Sequence, residues 1–331
     1  MSIRWAEYST LVRENSGGQR MDRIIDIATE GLHLSIHRGF LMVEKDREEV
    51  GRVALDDINA VIVHAHGVTW TGNLVAGLAE RGAPIVFCGA NHAPVAVTLP
   101  IEGHHAQNAR MQAQLAASKP LVKQLWRKIV AAKITMQGSL LAARGIAGAE
   151  AFPFIARRVT SGDKENLEAQ AARRYWPLLM GRDFRRDRDA GGVNGLLNYG
   201  YAIMRATCAR AVVASGLHPT IGIQHSNRGN AFALADDLIE PFRPLVDALA
   251  ESMAREGIDG LNPGLKRRFA RLLAFDLRIA GEVSPVSVAA GRLAQSLARS
   301  FETGRADLAL FDPPTAIEWA AAGMIDDGEA R

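Results

Sequence analysis

The hydrophobic positions follow two different periods in the two parts of the chain. Up to residue 102, short apolar or alternating runs are separated by turn residues such as those at 38–39, a pattern typical of β-strands. One helical stretch, residues 71–81, interrupts these runs, and Gly82 is placed to end it. The pattern predicts six strands, at residues 33–36, 40–43, 52–55, 60–64, 84–88 and 94–98.

From residue 107 onward, apolar residues recur at a spacing of three or four, the period of an amphipathic helix. Pro120 suits the first turn of a helix over residues 120–142. The segment 194–215 is rich in small residues and ends before Gly216, which predicts a closely packed central helix. Further helices are predicted at residues 107–118 and 150–158, around Glu168, after His225, at 264–280 and at 285–303.

These two periods predict an α+β fold with two domains. A β-rich domain with one helix occupies residues 1–102, and an all-α domain occupies residues 103–331. A chain of 331 residues is long enough for each domain to bury a core of its own.

Apolar runs and cysteines bear on the cellular location. No apolar run approaches the roughly 18 residues that a membrane span requires, and the first residues carry charges where a signal peptide needs an apolar core. Cys88 and Cys208 lie far apart in apolar surroundings, which favours reduced core thiols over a disulfide. We therefore expect a cytoplasmic protein that makes no membrane contact.

Charge is distributed unevenly along the chain. Residues 1–102 carry 9 Lys and Arg against 13 Asp and Glu, a net charge of −4, whereas residues 103–331 carry 30 against 23, a net charge of +7. The second part is therefore the candidate for nucleic-acid binding, although a solvated mixed-charge helix face gives the same pattern. Its basic clusters are Arg182, Arg185, Arg186 and Arg188, and then Lys266, Arg267, Arg268 and Arg271.

The segment 217–244 concentrates residues that can bind metal ions. His225 lies in a turn that contains glycine and asparagine, and the helical pattern that follows carries Asp236, Asp237 and Glu240. Asp237 and Glu240 are three residues apart, so one helix would present both carboxylates on one face. If the helix bearing Glu168 packs nearby, Glu168, His225 and Glu240 meet as three metal ligands.

A simpler interpretation is that these acids oppose the positive end of a helix dipole. Pro241 directly after Glu240 argues against it, because proline disfavours helical geometry in the residue before it. Departures of this kind collect at functional or strained sites.

Three motifs in order carry a resemblance to a known family: NLEAQAARRYW, LLNYGYAIM and GLHPTIGIQHSNRGNAFALADDLIEPFRP. Together they resemble the CRISPR-associated integrase of the adaptation complex, and the resemblance extends over essentially the whole chain. The compact size and the IEPFRP ending are similar to the version found beside single-effector (type II) systems. The resemblance implies that Glu168, His225 and Glu240 hold the metal, with Asp237 as an auxiliary acid, although some members of the family have Asp where this chain has Glu240.

The resemblance also implies an activity, namely cutting DNA and joining a DNA 3′-hydroxyl to a phosphodiester so that new spacers enter a CRISPR array. Mg²⁺ or Mn²⁺ fits this ligand set better than Zn²⁺, because most ligands are carboxylates and no cysteine joins them. His225 is either a ligand or a proton carrier. A general metal-dependent nuclease or phosphoesterase and a non-catalytic DNA-bridging scaffold remain alternatives.

Expected partners follow from the same resemblance. They are double-stranded DNA (spacer precursor and CRISPR array), a second copy of the chain bound through residues 1–102, the small second protein of the adaptation complex, and the type II effector nuclease. Arg243 is placed for a phosphate contact, or alternatively for an ion pair with Asp247 four residues on. The predicted DNA-contacting residues are Arg173, Arg228, Arg243, Arg185, Arg186, Lys266 and Arg267.

Overall fold

The computed structural model describes residues 23–89, 94–258, 260 and 262–325. The charged N-terminal segment and the first 22 residues of the expected β-rich domain therefore lie outside the described residues.

The part of the expected β-rich domain that the structure describes contains one helix, α1 (Gly72–Glu80), and eight strands. All six predicted strands are present, and two more, β1 and β6, were not predicted. The Thr71 hydroxyl caps α1 by accepting a hydrogen bond from the Leu74 N–H at 3.4 Å. The strands are β1 (Arg23–Ile27), β2 (Leu32–His37), β3 (Phe40–Lys45), β4 (Glu48–Ala54), β5 (Ile58–Val63), β6 (Thr69–Trp70), β7 (Ile85–Cys88) and β8 (Pro94–Thr98).

These strands form two four-stranded sheets. The first has the order β1-β5-β7-β8, with β1, β5 and β7 parallel and β8 antiparallel to β7. The second has the order β4-β3-β2-β6, and its central hairpin turns at Arg38 and Gly39. Both turn residues have positive φ, 48° and 82°, as a two-residue hairpin turn requires.

Strand β5 joins the two parts of the protein because it is buried on both faces. Val61 and Val63 pack into the core between the two sheets and α1, whereas Ala60 and Ile62 pack into the core of the helical part. Successive strand residues point to opposite faces, so a single strand can serve both cores.

The helical part follows with ten helices among the described residues. The predicted central helix is confirmed as α6, whose Gly200 lies against α8 and α9: a Cβ at this position would come within 2.4 Å of Val246 Cγ1 and 2.7 Å of Phe269 Cε1. The helices are α2 (Gln107–Leu115), α3 (Lys119–Ala143), α4 (Ala151–Arg158), α5 (Leu167–Met180), α6 (Val193–Ala214), α7 (Ala233–Leu238), α8 (Arg243–Arg255), α9 (Pro263–Arg271), α10 (Val286–Thr303) and α11 (Ala316–Ala321).

The predicted helix over 264–280 is wrong beyond Arg271. After α9 and one 3₁₀ turn, the chain forms an antiparallel hairpin of β9 (Asp276–Ile279) and β10 (Glu282–Pro285). Leu277 and Ile279 are buried while their neighbours are exposed, which is the period of a strand. The expectation of an all-α second domain is corrected accordingly: the described part is helical with one hairpin.

Two expectations from composition can be compared with the structure. Cys88 and Cys208 are both free thiols and both buried, as expected. In the stretches that the structure describes, every helix is too short or too polar to cross a membrane.

Candidate active site

Glu168 lies in the first turn of α5, where the preceding turn fixes it. The carboxylate of Asp163 accepts hydrogen bonds from the backbone N–H groups of Leu167 at 2.9 Å and Glu168 at 3.0 Å. These bonds satisfy donors that the start of a helix leaves unpaired. The side chain of Glu168 remains 25% exposed and faces α3.

Glu240 owes its position to Pro241. The expected continuous helix through Asp237 and Glu240 does not form: α7 ends at Leu238, a 3₁₀ turn spans Glu240–Phe242, and α8 begins at Arg243. Proline lacks an N–H and disfavours helical geometry in the preceding residue, which explains the break. The turn packs on α3 and buries the side chain of Glu240 to 4% exposure.

Lys133, which the sequence analysis did not single out, joins the two glutamates. Its Nζ lies 2.6 Å from Glu168 Oε1 and 2.5 Å from Glu240 Oε2, and its side chain is 12% exposed. Burial lowers the pKa of Lys133, but the nearby carboxylates of Glu240 and Glu168 outweigh burial and raise it. A lysine within the apolar pattern of α3 was the sequence signal for this contact.

Arg243 is the second cation on Glu240. Its Nε donates to Glu240 Oε1 at 2.8 Å, and its guanidinium lies over the ring of Tyr201 at 4.5 Å. Burial raises the pKa of Glu240, but Arg243 and Lys133 outweigh burial and hold that pKa well below its usual range. The alternative partner Asp247 instead accepts hydrogen bonds from the hydroxyls of Tyr175 and Tyr201.

Asp237 binds the His225 loop rather than sharing a face with Glu240, which corrects the expectation from their spacing. Its Oδ1 lies 2.7 Å from His225 Nδ1, and the same carboxylate accepts from the backbone N–H groups of Ile223, Gln224 and His225. A carboxylate at Nδ1 fixes the orientation of the ring and leaves Nε2 as the nitrogen for a ligand or a proton.

Gly222 allows this loop to pass close to α7. A Cβ at residue 222 would lie 2.4 Å from the carbonyl oxygen of His225 and 2.9 Å from Asp237 Oδ2. The His225 ring packs edge-on against Trp126 of α3, with ring centroids 6.0 Å apart. The hydrogen bond that His225 Nδ1 makes to the Asp237 carboxylate raises the pKa of His225, burial opposes this, and the charges of Asp237 and Glu240 raise it further.

These residues fit a hard divalent cation in their chemistry. Glu168 and Glu240 both contact one positive charge, the Lys133 ammonium. Carboxylate oxygens are also preferred ligands of Mg²⁺ and Mn²⁺. Within residues 23–89, 94–258, 260 and 262–325, no three His, Cys, Asp or Glu side chains converge closely enough to hold a metal ion. An ion held by all three of His225, Glu168 and Glu240 would require these side chains to move closer together.

Some of the residues predicted to contact DNA are exposed, and others bind residues of the protein itself. Arg173, Arg185 and Arg228 have exposed side chains. Arg186 donates to the side-chain oxygens of Asn194 at 2.9 Å and Asn198 at 2.6 Å, so it holds the start of α6 in place.

Lys266 and Arg267 lie on α9, beside the strand domain. Lys266 Nζ lies 3.1 Å from Asp26 Oδ1 in β1, and the lysine side chain is 12% exposed. Arg267 is half-buried. Lys266 therefore contacts the other domain, and the accessible members of the predicted set are those exposed on the helical part.

Comparison with known proteins identifies the family of this chain. The family model described as CRISPR associated protein Cas1 matches residues 25–260. The CRISPR-associated endonuclease Cas1 of Neisseria meningitidis serogroup C (strain 8013) is 36% identical over 252 residues, which cover 75% of this chain and 82% of that protein. The CRISPR-associated endonuclease Cas1 2 of Pyrobaculum aerophilum is 27% identical over 295 residues, covering 84% of this chain and 99% of that protein.

Solved structures share the fold. A casposase bound to integration product superposes with a TM-score of 0.74 at 20% identity, covering 87% of this chain and 93% of that chain. A CAS1 protein from Thermotoga maritima superposes with a TM-score of 0.68 at 15% identity, covering 86% and 98%. The family match over residues 25–260 and the 36% identity to a named member show that this chain belongs to the CRISPR associated protein Cas1 family.

Proposed function

We propose that this protein is a divalent-cation-dependent DNA endonuclease and integrase of CRISPR adaptation. It cuts DNA strands and inserts new spacers into a CRISPR array through attack of a DNA 3′-hydroxyl on a phosphodiester. One observation carries this proposal: Glu168 and Glu240 both contact the Lys133 ammonium, beside a His225 ring that Asp237 orients. The relatives at 36% and 27% identity, both named CRISPR-associated endonucleases, support it.

Glu168, Glu240 and His225 would hold Mg²⁺ or Mn²⁺. When bound, the ion polarises the scissile phosphate and stabilises charge on the attacking or leaving oxygen. Arg243 and Lys133 keep Glu240 ionised, so the carboxylate is ready to bind a cation without first losing a proton.

The His225 loop prepares the third group of the site. Asp237 holds Nδ1 and the surrounding backbone, so Nε2 is presented in one orientation. From that nitrogen the ring either completes the ligand set or moves a proton between the nucleophile and solvent. The 41% exposure of the side chain gives DNA access to the ring.

Double-stranded DNA, as spacer precursor and as CRISPR array, is the proposed substrate. The net charge of +7 on residues 103–331 supports it. Arg173, Arg185 and Arg228 are exposed and provide accessible positive charge on the helical part. Contacts from these residues to phosphates would bind DNA with little dependence on sequence.

Protein partners are proposed for the strand domain. A second copy of this chain binds through residues 1–102, and the small second protein of the adaptation complex and the type II effector nuclease complete the expected set. Among the strands that the structure describes, β8 lies at the edge of its sheet; its Val95 is 70% exposed, and Ile101, three residues after the strand, is 89% exposed. Exposed apolar residues along an open sheet edge support a protein interface there.

A strand-transfer assay with Mn²⁺ tests the proposed activity. The substrates are a branched DNA, the same branch made of RNA, and a small aryl phosphate ester, and the variants are Glu168→Gln and Glu240→Gln. We expect the wild-type protein to act on the branched DNA and on neither of the other two substrates, and we expect both variants to lose this activity. Turnover of RNA and the ester at the same rate would instead indicate a general phosphoesterase, and full transfer by both variants would indicate that the metal ligands lie elsewhere.

A further inference from the structure

Lys133 stands between the two carboxylates that we assign to the divalent cation. Its ammonium contacts Glu168 Oε1 and Glu240 Oε2, and Arg243 contacts the other carboxylate oxygen of Glu240. We call Glu168, Glu240, Lys133 and Arg243 the charge quartet. This inference rests on the proposed function, because it concerns how the protein admits the ion.

The charge quartet is neutral before any ion enters. Two glutamates contribute two negative charges, and Lys133 and Arg243 contribute two positive charges. Three of the side chains are 21% exposed or less, so water screens these charges poorly. A divalent cation would give the ion and these four side chains a net charge of +2 in a poorly solvated place, which the neighbouring carboxylates of Asp237 and Asp247 offset only in part because they already bind His225, Tyr175 and Tyr201.

Two events relieve this excess charge. Lys133 can leave the carboxylates, because its ammonium is carried on a flexible four-carbon stem. A DNA phosphate can bring negative charge to the site. Both events act together when the displaced ammonium pairs with the arriving phosphate.

We propose that Lys133 is an internal counterion that takes the place of the divalent cation in the DNA-free protein. When DNA binds, the Lys133 ammonium moves from the two carboxylates to an ion pair with a DNA phosphate, so that cation binding depends on DNA binding. Lys133 is thus a positioning residue: it keeps the two glutamates together until substrate arrives. By linkage, DNA tightens the binding of the cation by the same factor as the cation tightens the binding of DNA.

Calorimetric titration of Mn²⁺ tests this coupling directly, without an activity readout. Each protein is titrated alone and with a saturating short DNA duplex whose 3′ ends are dideoxy-terminated, so that no strand transfer occurs. For the wild-type protein we expect DNA to tighten Mn²⁺ binding about tenfold or more. For Lys133→Met we expect Mn²⁺ to bind the DNA-free protein about tenfold more tightly than it binds wild type, with less than about threefold further gain from DNA.

Lys133→Arg is the matched control, because it keeps the positive charge and should keep the coupling. Lys133→Gln replaces Lys133→Met if the latter does not fold, since the amide retains a donor for the carboxylates and loses the charge. Thermal melting gives a second readout: Lys133→Met should melt below wild type without Mn²⁺ and should gain more than wild type when Mn²⁺ is added.

The outcomes separate this inference from the proposed function. Loss of Mn²⁺ binding in Glu240→Gln, together with wild-type behaviour of the Lys133 variants in both titrations, overturns the inference and leaves the metal site standing. Unchanged Mn²⁺ binding in Glu240→Gln overturns the metal site itself. A wild-type protein whose Mn²⁺ affinity does not respond to DNA also contradicts the inference.

Discussion

The ammonium of Lys266, in α9, lies 3.1 Å from Oδ1 of Asp26, in β1. The hydroxyl of Tyr199, in α6, donates to the other oxygen of the same carboxylate at 2.5 Å. These contacts join the helical part to the strand domain across 240 and 173 positions of sequence, respectively. Lys266 belongs to a basic cluster in the sequence, but in the structure it forms a contact between domains.

Lys266→Ala should destabilise the protein rather than weaken DNA binding specifically. Lys266 and Asp26 are 12% and 16% exposed, and breaking such a pair leaves Asp26 buried without that partner, at a cost of about 3 kcal/mol. Denaturant unfolding measures the difference, with Arg271→Ala as the control, because Arg271 is exposed on the same helix. Equal free energies of unfolding for the two variants would show that the pair contributes nothing.

Asp237→Asn should weaken metal binding although we do not assign Asp237 as a ligand. The amide offers one acceptor oxygen where the carboxylate serves both His225 Nδ1 and three backbone N–H groups, so the ring loses its fixed orientation. Removing such a supporting hydrogen bond lowers metal affinity by about 10- to 100-fold.

The matched control for Asp237→Asn is Asp236→Asn, one residue earlier. Asp236 binds Arg205 and Asn230, whereas Asp237 binds the His225 ring. Calorimetric titration of Mn²⁺ compares the two variants. Equal losses in both would mean that the loop as a whole, and not the orientation of His225, sets the affinity.

Replacing Arg173, Arg185 and Arg228 together by Ala should flatten the salt dependence of DNA binding. Every arginine–phosphate ion pair that the substitutions remove should reduce the slope of log affinity against log salt by about 0.9. Fluorescence anisotropy over a salt series measures the slope. A triple Ala variant of the exposed Arg38, Arg47 and Arg52 in the acidic strand domain removes the same charge and should leave the slope near the wild-type value. Identical slopes for both triple variants would place the DNA track elsewhere.

The stability of the protein should depend on Asp247 between about pH 4 and about pH 6. Burial raises the pKa of Asp247 to about 6, although hydrogen bonds from Tyr201 and Tyr175 oppose the rise. A folded-state pKa above the unfolded value means that the folded protein binds the proton more tightly. This contribution is complete at low pH and is lost as the pH rises through about 6.

Asp247→Asn removes that titration. Relative to this variant, wild type should lose about 2 kcal/mol of unfolding free energy from about pH 4.5 to about pH 7.5. Denaturant unfolding at each pH provides the comparison. A constant difference between the two proteins across this range would show that Asp247 keeps an ordinary pKa in the fold.

A second copy of the chain should dissociate when the exposed apolar edge is made charged. Val95→Lys with Ile101→Lys introduces two ammonium groups along the β8 edge, and burying them without partners in an interface is strongly unfavourable. Light scattering at micromolar concentration should then report a monomer. Ile317→Lys, at a residue 75% exposed in α11, is the control and should leave the assembly intact. A dimer that persists in the double variant would place the interface elsewhere.

Much of the fold could be predicted from the sequence because helices and strands are local. The apolar spacing identified α3 and α6 to within a few residues. The same reasoning failed at 272–280, where a helix was predicted. There, the apolar spacing looked helical, and the hairpin became visible only through the burial of Leu277 and Ile279 against the rest of the protein.

Residue types and order along the chain were enough to nominate Glu168, His225 and Glu240 and to identify the family. Only the tertiary structure decided how these residues are used. It placed Lys133, 35 positions before Glu168, between two carboxylates, and it assigned Asp237 to His225 and Lys266 to Asp26. The physical reason is that a helix or a cap depends on neighbours within a few residues, whereas the partner of a charge depends on which elements pack together, and packing brings together residues from distant parts of the chain.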